Sequence, residues 1–166
     1  MVQACSPIGA RFNAAESSPN HNIGARGFDN AGNVYLYTQY DTAGTGLGLG
    51  FGVVLPGTSN QAQGLTLALS SAGHSIGFCQ VGSAGANSVS AGAYFWAQIE
   101  GQGSIAVLSA CVGAVPLYTT STGGVLDDTA NGNIINGVVI NATVTGDGTK
   151  VATGTIVGGR SVARIA

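Results

Sequence analysis

The chain has 166 residues, a formal net charge of −2 and charged side chains at only 7% of its positions, against roughly a quarter in an average soluble protein. Its mean hydropathy is +0.32, and it carries 28 glycines but only 4 prolines. One domain with a single core suits that length; the apolar content excludes intrinsic disorder, the lack of a Gly-X-Y period excludes collagen, and 5 basic residues leave no footprint for nucleic acid.

Residues 1 to 30 read as an N-terminal arm. Pro7, Gly9, Pro19, Gly24 and Gly27 interrupt any regular period, and the apolar residues Ile8, Phe12, Ile23 and Phe28 come singly. Such a segment is either frayed or ordered by docking on something else. It either clasps a neighbouring subunit, with Phe12 and Phe28 as anchors, or lies along its own domain; the sequence leaves both open. The N-terminus lacks the charged start and apolar core of a secretory signal.

Residues 31 to 166 read as the β domain. Val34 to Tyr40 alternates as a strand, Tyr35, Tyr37 and Gln39 on one face and Leu36, Thr38 and Tyr40 on the other. Gly44 to Gly52 alternates glycine with bulkier residues, which suits close approach of another backbone. Phe51 to Leu55 predicts a buried strand stopped by Pro56-Gly57, Leu65 to Leu69 another, and Ser75 to Val81 a third. The run from Leu47 to Pro56 is too short and glycine-broken to span a bilayer, so no membrane partner is expected. Gly82 to Ser90 is a small-residue loop.

Ala93 to Ile99 is an aromatic strand with the chain's only tryptophan, Trp96. Gly101-Gln102-Gly103 predicts a turn, and Ile105 to Cys111 an apolar return strand. Pro116 breaks regularity before Leu117-Tyr118, and Thr122-Gly123-Gly124 turns again. Ile134 to Val139 fits a further strand, although Asn136-Gly137 is also a turn signal. Val138, Ile140, Ala142 and Val144 share one face; Gly146-Asp147-Gly148 predicts a hairpin, Lys150 to Val157 its return, and Ser161 to Ile165 a last strand. The expected fold is all-β, a single antiparallel β-barrel or β-sandwich of about eight to ten strands.

Little in the chain points to chemistry. His21 and His74 have no acidic neighbour in a nucleophile motif, no G-x-S-x-G occurs, and no phosphate-binding glycine loop is present. No enzyme activity and no cofactor are expected. Cys5, Cys79 and Cys111 are widely spaced without a CxxC, which argues against zinc; Cys79 and Cys111 read as buried free thiols. Asp127-Asp128 is the only adjacent acid pair. Between Asp41 and Asp127 the only charged side chain is Glu100. An ionised carboxylate there must reach water or a partner: either it bridges a subunit interface to Arg160 or Arg164, or it ends a strand in solvent. Surfaces this poor in charge are normally covered by other subunits.

The aromatic strand AGAYFWAQ, its short glycine link, the alanine-valine strand and then PLYTTSTGGVLDD, followed by Ile134 to Val139, resemble the capsid decoration (cement) and minor head proteins of tailed bacteriophages. The likeness covers residues 76 to 166, with a looser echo around Val34 to Tyr40. It implies a virion structural protein on the capsid surface, assembled in the host cytoplasm, with the major capsid protein as partner and a homotrimer as its form. Arg11, Phe12, Arg26, Phe28, Glu100, Arg160 and Arg164 are then the candidate capsid and subunit interface. The resemblance also implies a solvated turn at Asp127-Asp128, so no metal site is expected. The alternative reading is another virion module, a head fibre, tail or glycan-binding adhesin domain using exposed Tyr35, Tyr37 or Trp96.

Overall fold

A computed structural model describes residues 10–55, 61–65 and 74–162, the last four of these by their backbone alone. Among the described residues the chain is all-β and contains no helix, so none is long and apolar enough to cross a membrane. Twelve strands follow in order: β1 (Arg26–Phe28), β2 (Val34–Tyr40), β3 (Leu47–Gly48), β4 (Gly52–Val54), β5 (Gln61–Gly64), β6 (Ile76–Cys79), β7 (Asn87–Val89), β8 (Tyr94–Val107), β9 (Leu117–Thr119), β10 (Leu126–Asp127), β11 (Ile134–Ile140) and β12 (Lys150–Val162).

The long strand β8 organises the rest. Its first half pairs with β2 on one edge and β6 on the other, and β4 and β5 complete a circuit back to β2. Its second half pairs with β12 and, at Val107, with β10; β9 and β11 close that second circuit. Nine strands therefore form two closed five-strand rings sharing one strand, with β1 added outside β2 as the tenth strand of the sheet and β3–β7 as a separate small ribbon. Closure removes most of the unpaired edge that an open sheet would offer to aggregation. The pairing is antiparallel except at β2–β5 and β8–β10.

Period-2 patterning distributes the core. Phe95 and Ala97 of β8 point into the first ring, with Tyr40, Val53, Leu55, Ala62 and Cys79. Ile105 and Val107 lie on the opposite face, because the register shift at Val34/Tyr35 leaves Ile99 as an extra residue in β8 and reverses the alternation beyond it. They point into the second ring, with Leu117, Leu126, Ile135, Val138, Ile140 and Ile156. Val54, Ile76 and Phe78 line the outside of the first ring and pack against that second core. A third cluster, Tyr35, Tyr37 and Trp96, sits on the opposite face of β2 and β8 and is roofed by Ala10, Phe12 and Ala25.

Several expectations change. Gly101–Gly103 is no turn, because β8 runs through it: β12 pairs continuously from Lys150↔Val107 to Val157↔Glu100 and holds the chain extended. Gly101 instead bends the strand, with φ of 103°, and an added Cβ there would run into the Asn33 side chain. Asn33 Oδ1 accepts from the Gln102 amide at 2.8 Å, pinning the β1–β2 turn against the bend. Asn136-Gly137 likewise stays within β11, opposite extra residues of β12 where the register shifts, and Gly137 takes φ of 77°. Gly158 does not end the last strand but lies within β12. The loop expected at 82–90 contains β7, and a strand not expected, β5, forms from Gln61-Ala62-Gln63-Gly64. Of the strand expected at Leu65 to Leu69, only Leu65 lies among the described residues, buried and outside any strand.

Residues 10–28 lie along their own domain. The Phe12 ring stacks on Tyr35, centroids 4.2 Å apart and planes at 16°, and meets Trp96 edge-on at 5.3 Å. Glu16 pairs backbone with Tyr94, its carboxylate accepts a short hydrogen bond from the Tyr37 hydroxyl, and β1 adds to β2. Aromatic pairs of this geometry contribute roughly 0.5–1.5 kcal/mol each beyond their burial.

Candidate functional site

The strand alternation that fills the second ring leaves the other face of β8, β12 and β11 in solvent. In β12, Ala152, Gly154 and Ile156 are buried, while Thr153 and Val157 are exposed. Register then places Ser104 beside Thr153, Gln102 beside Thr155 and Glu100 beside Val157. Val139 of β11 sits opposite Thr155 on the same side, and the Thr155 hydroxyl donates to Asn141 Oδ1 at 3.3 Å. Val157 is 69% exposed and Val139 38%. Among the described side chains of this surface Glu100 is the single ionisable group. Hydroxyls, amides and two valines make a face that is cheap to desolvate, since burying a charge costs far more than burying a hydroxyl that keeps a hydrogen bond.

The structure distributes the sequence-predicted residues unevenly. Glu100 lies at the end of the β8–β12 ladder, exposed, in register with both Val157 and Val34. Arg160 is on the same strand three residues beyond Val157, its backbone opposite Asn136, about 10 Å further along at strand rise. Arg11 and Arg26 are exposed near the aromatic roof, away from β11 and β12, Phe28 is half-buried on β1, and Phe12 packs on Tyr35 and Trp96. Arg164 lies outside the described residues. Val139, Val157 and Gln102 were missed; alternation along Lys150 to Val157 carried the signal, but only the register with β8 shows which alternate set stays in solvent.

The aromatics assigned to sugar stacking are corrected. Tyr35, Tyr37 and Trp96 are 6%, 0% and 0% exposed, because the segment from Ala10 to Ala25 covers them. Burial first, then the Asp29 carboxylate beside it, pushes the Tyr35 hydroxyl up to about 12; burial and the hydrogen bond to Glu16 do the same to Tyr37. Asp29 accepts from the Ala31 and Asn33 amides, Asn33 Nδ2 and the Tyr35 hydroxyl. Burial works to raise its pKa, but those donors outweigh it and hold the group below the usual carboxylate range.

A second constellation lies at the far end of β8. Cys111, 0% exposed, faces Asp127 and Asp128, and the sulfur and the two carboxylates all lie within 4.8 Å of one another. Asp127 belongs to β10 and both acids are half-buried, so they are not the solvated turn expected. Asp128 Oδ2 accepts from the Val112 amide at 3.2 Å. The loop is strapped down by Val144 N to Cys111 O and Ala114 N to Ile140 O, both 2.9 Å. Burial, then the charges of Asp128 and Asp127, push the thiol up to about 11 against one favourable N–H from Asp128. Cys79, also free and buried, has only an apolar cluster around it and the Val81 carbonyl at 4.0 Å. One thiol and two carboxylates form a donor set that could hold a divalent cation.

A polar groove of about 650 Å³ runs between Tyr40, Asp41, Phe51, Gln63, Asn87 and Thr122. Its carboxylate is already engaged by the Ala43 amide and Gln63 Nε2. No protein-family model matches the chain, and no curated protein matches it in sequence.

Proposed function

We propose that this chain is a capsid decoration protein of a tailed bacteriophage, a non-enzymatic virion component that docks on the outside of the assembled head. The observation that supports docking is the outer face of β8, β12 and β11, solvent-exposed and, among the described side chains, uncharged apart from Glu100. The kind of partner comes from the resemblance of residues 76 to 166 to decoration and minor head proteins. In this reading Val139, Val157 and Gln102 meet the major capsid protein or a neighbouring copy in a trimer, and Glu100 pairs with a basic residue across the boundary. Binding to assembled shell but not to free capsid subunits stabilises the shell by mass action against the pressure of packaged DNA.

Co-sedimentation with expanded, DNA-free heads that lack the protein tests the reading, alongside light scattering of the free chain. Wild-type protein pellets with the heads, and Val157→Glu stays in the supernatant while keeping its far-ultraviolet circular dichroism. A free-protein mass three times the 16.3 kDa chain supports the trimer. Wild-type protein that never pellets, or a Val157→Glu variant that pellets equally well, defeats the proposal.

A further inference from the structure

Three features lie outside the face of β8, β11 and β12: the groove beside Asp41, the aromatic cluster under Phe12, and the thiol–carboxylate group at Cys111. Only the last brings together side chains whose combined chemistry selects a ligand. Two carboxylates approach one sulfur, and among the described residues no ion pair neutralises either of them. The sulfur is wholly buried, yet it faces acids where Cys79 faces only apolar side chains and a carbonyl. Such congestion of negative and polarisable groups is costly without a cation and favourable with one.

We propose that Cys111, Asp127 and Asp128 form a binding site for a borderline-soft divalent cation of the zinc type, with the fourth position open to water. The sulfur disfavours calcium and magnesium, which take oxygen ligands. The two carboxylates disfavour copper(I), which prefers thiolate and thioether ligands. A tetrahedral zinc with ordinary Zn–S and Zn–O bonds places its sulfur and oxygen ligands about 3.6 Å apart. The three ligand atoms already lie within 4.8 Å, so side-chain rotation of about an ångström completes the set. Binding replaces the thiol proton with the metal and releases that proton to solvent. The supports are in place: the Val112 amide orients Asp128, and the bonds from Val144 and Ala114 fix the loop that carries Cys111. A bound cation would tie β10 to the 108–116 loop where they meet the end of β8.

Cobalt(II) titration of the full-length protein tests this, after dialysis against a chelator with a non-thiol reductant present. Wild-type protein develops a thiolate-to-cobalt charge-transfer band that stoichiometric zinc abolishes. Cys111→Ser loses the band, whereas Cys5→Ser, Cys79→Ser and Asp147→Asn keep it. Asp127→Asn and Asp128→Asn each weaken binding by at least about tenfold, as removal of a group that ligates or orients a metal does. These two changes in half-buried acids decide the matter if Cys111→Ser fails to fold. No band in the wild type, a band that survives Cys111→Ser, or acid variants that bind as tightly as the wild type overturns the site.

Discussion

Truncating Phe12 to alanine removes a ring that touches Tyr35 at 4.2 Å and Trp96 at 5.3 Å between centroids. A fully buried Phe→Ala change costs roughly 3–5 kcal/mol; Phe12 is half-buried, which brings the transfer and cavity contribution down to about half. Two aromatic contacts restore part of the difference, so Phe12→Ala should destabilise the protein by about 2–3 kcal/mol. For a domain of this size that corresponds to a fall in Tm of about 4–12 °C. Urea unfolding followed by tryptophan fluorescence is the natural assay, because Trp96 is the only tryptophan and lies directly beneath the ring. Its emission in the folded state should shift to the red as water reaches the indole.

An independent perturbation acts on the same contact from the other side. A Cβ at Gly27 would sit 2.6 Å from the Phe12 ring and 3.0 Å from Trp96, so Gly27→Ala should lift the ring and destabilise the wild type. In the Phe12→Ala background that obstruction is largely gone, and the same change should cost less; the two substitutions should be coupled, as touching residues are. If Phe12→Ala costs under about 0.5 kcal/mol, leaves Trp96 emission unchanged and shows no coupling to Gly27→Ala, then residues 10–28 do not cover this face in solution. The arm would then be free to clasp a neighbour.

Three further outcomes follow from the geometry. Gly154→Ala should cost about 3 kcal/mol or more, read as a large drop in Tm or loss of soluble protein, because its Cβ would collide with the Val139 carbonyl and Ile105 at the centre of the second ring. Alkaline unfolding should become steep between about pH 10 and about 12: Tyr35 and Tyr37 hold their protons to about 12 when folded, while the unfolded chain releases them near 10. The stabilisation they give is complete below the unfolded value and lost as pH rises through the folded one; a denaturant midpoint flat to pH 12 would contradict this. Asp29→Ala should lower stability at pH 7 and flatten the loss on acidification, because the depressed carboxylate stabilises above its unfolded pKa and stops doing so as pH falls through the folded one.

How much of this was legible in the sequence depended on whether the signal was local. Strand β2 was readable to the residue, since alternating Tyr35, Leu36, Tyr37 and Thr38 put aromatics on one face and smaller groups on the other, and both faces are buried by different clusters. The alternation of Val138 and Ile140 inward and Val139 and Asn141 outward was equally plain. Gly101-Gln102-Gly103 misled because glycine marks turns and strand bends alike; only the partner strand 50 residues later, pairing from Val107 to Glu100, decides between them. The strand Gln61–Gly64 has no hydrophobic period, and its parallel register with Gln39 and Tyr40 is supported by the Gln61 Nε2 to Gln39 Oε1 bond at 3.2 Å. Cys111 and the acid pair are 16 residues apart and meet because β10 returns alongside Val107. Spacing alone cannot show such a meeting, and it is why the metal-ligand arithmetic of the sequence came out empty.

The shared strand also ties the outer face of β8, β11 and β12 to the core. Glu100 and Gln102 lie where β8 passes from the first ring to the second, with Val34 on one edge and Val157 on the other. β8 belongs to both rings, so loss of its pairing opens both at once, and the two should unfold together rather than as separate units. A partner seated on Gln102, Val139 and Val157 would clamp β8, β11 and β12 across that junction, and its binding energy would oppose the opening of both rings at once. Charges on this face would have to be desolvated every time it docked. Hydroxyls, amides and valine impose no such cost, and between Asp41 and Asp127 the chain departs from that rule at Glu100 alone.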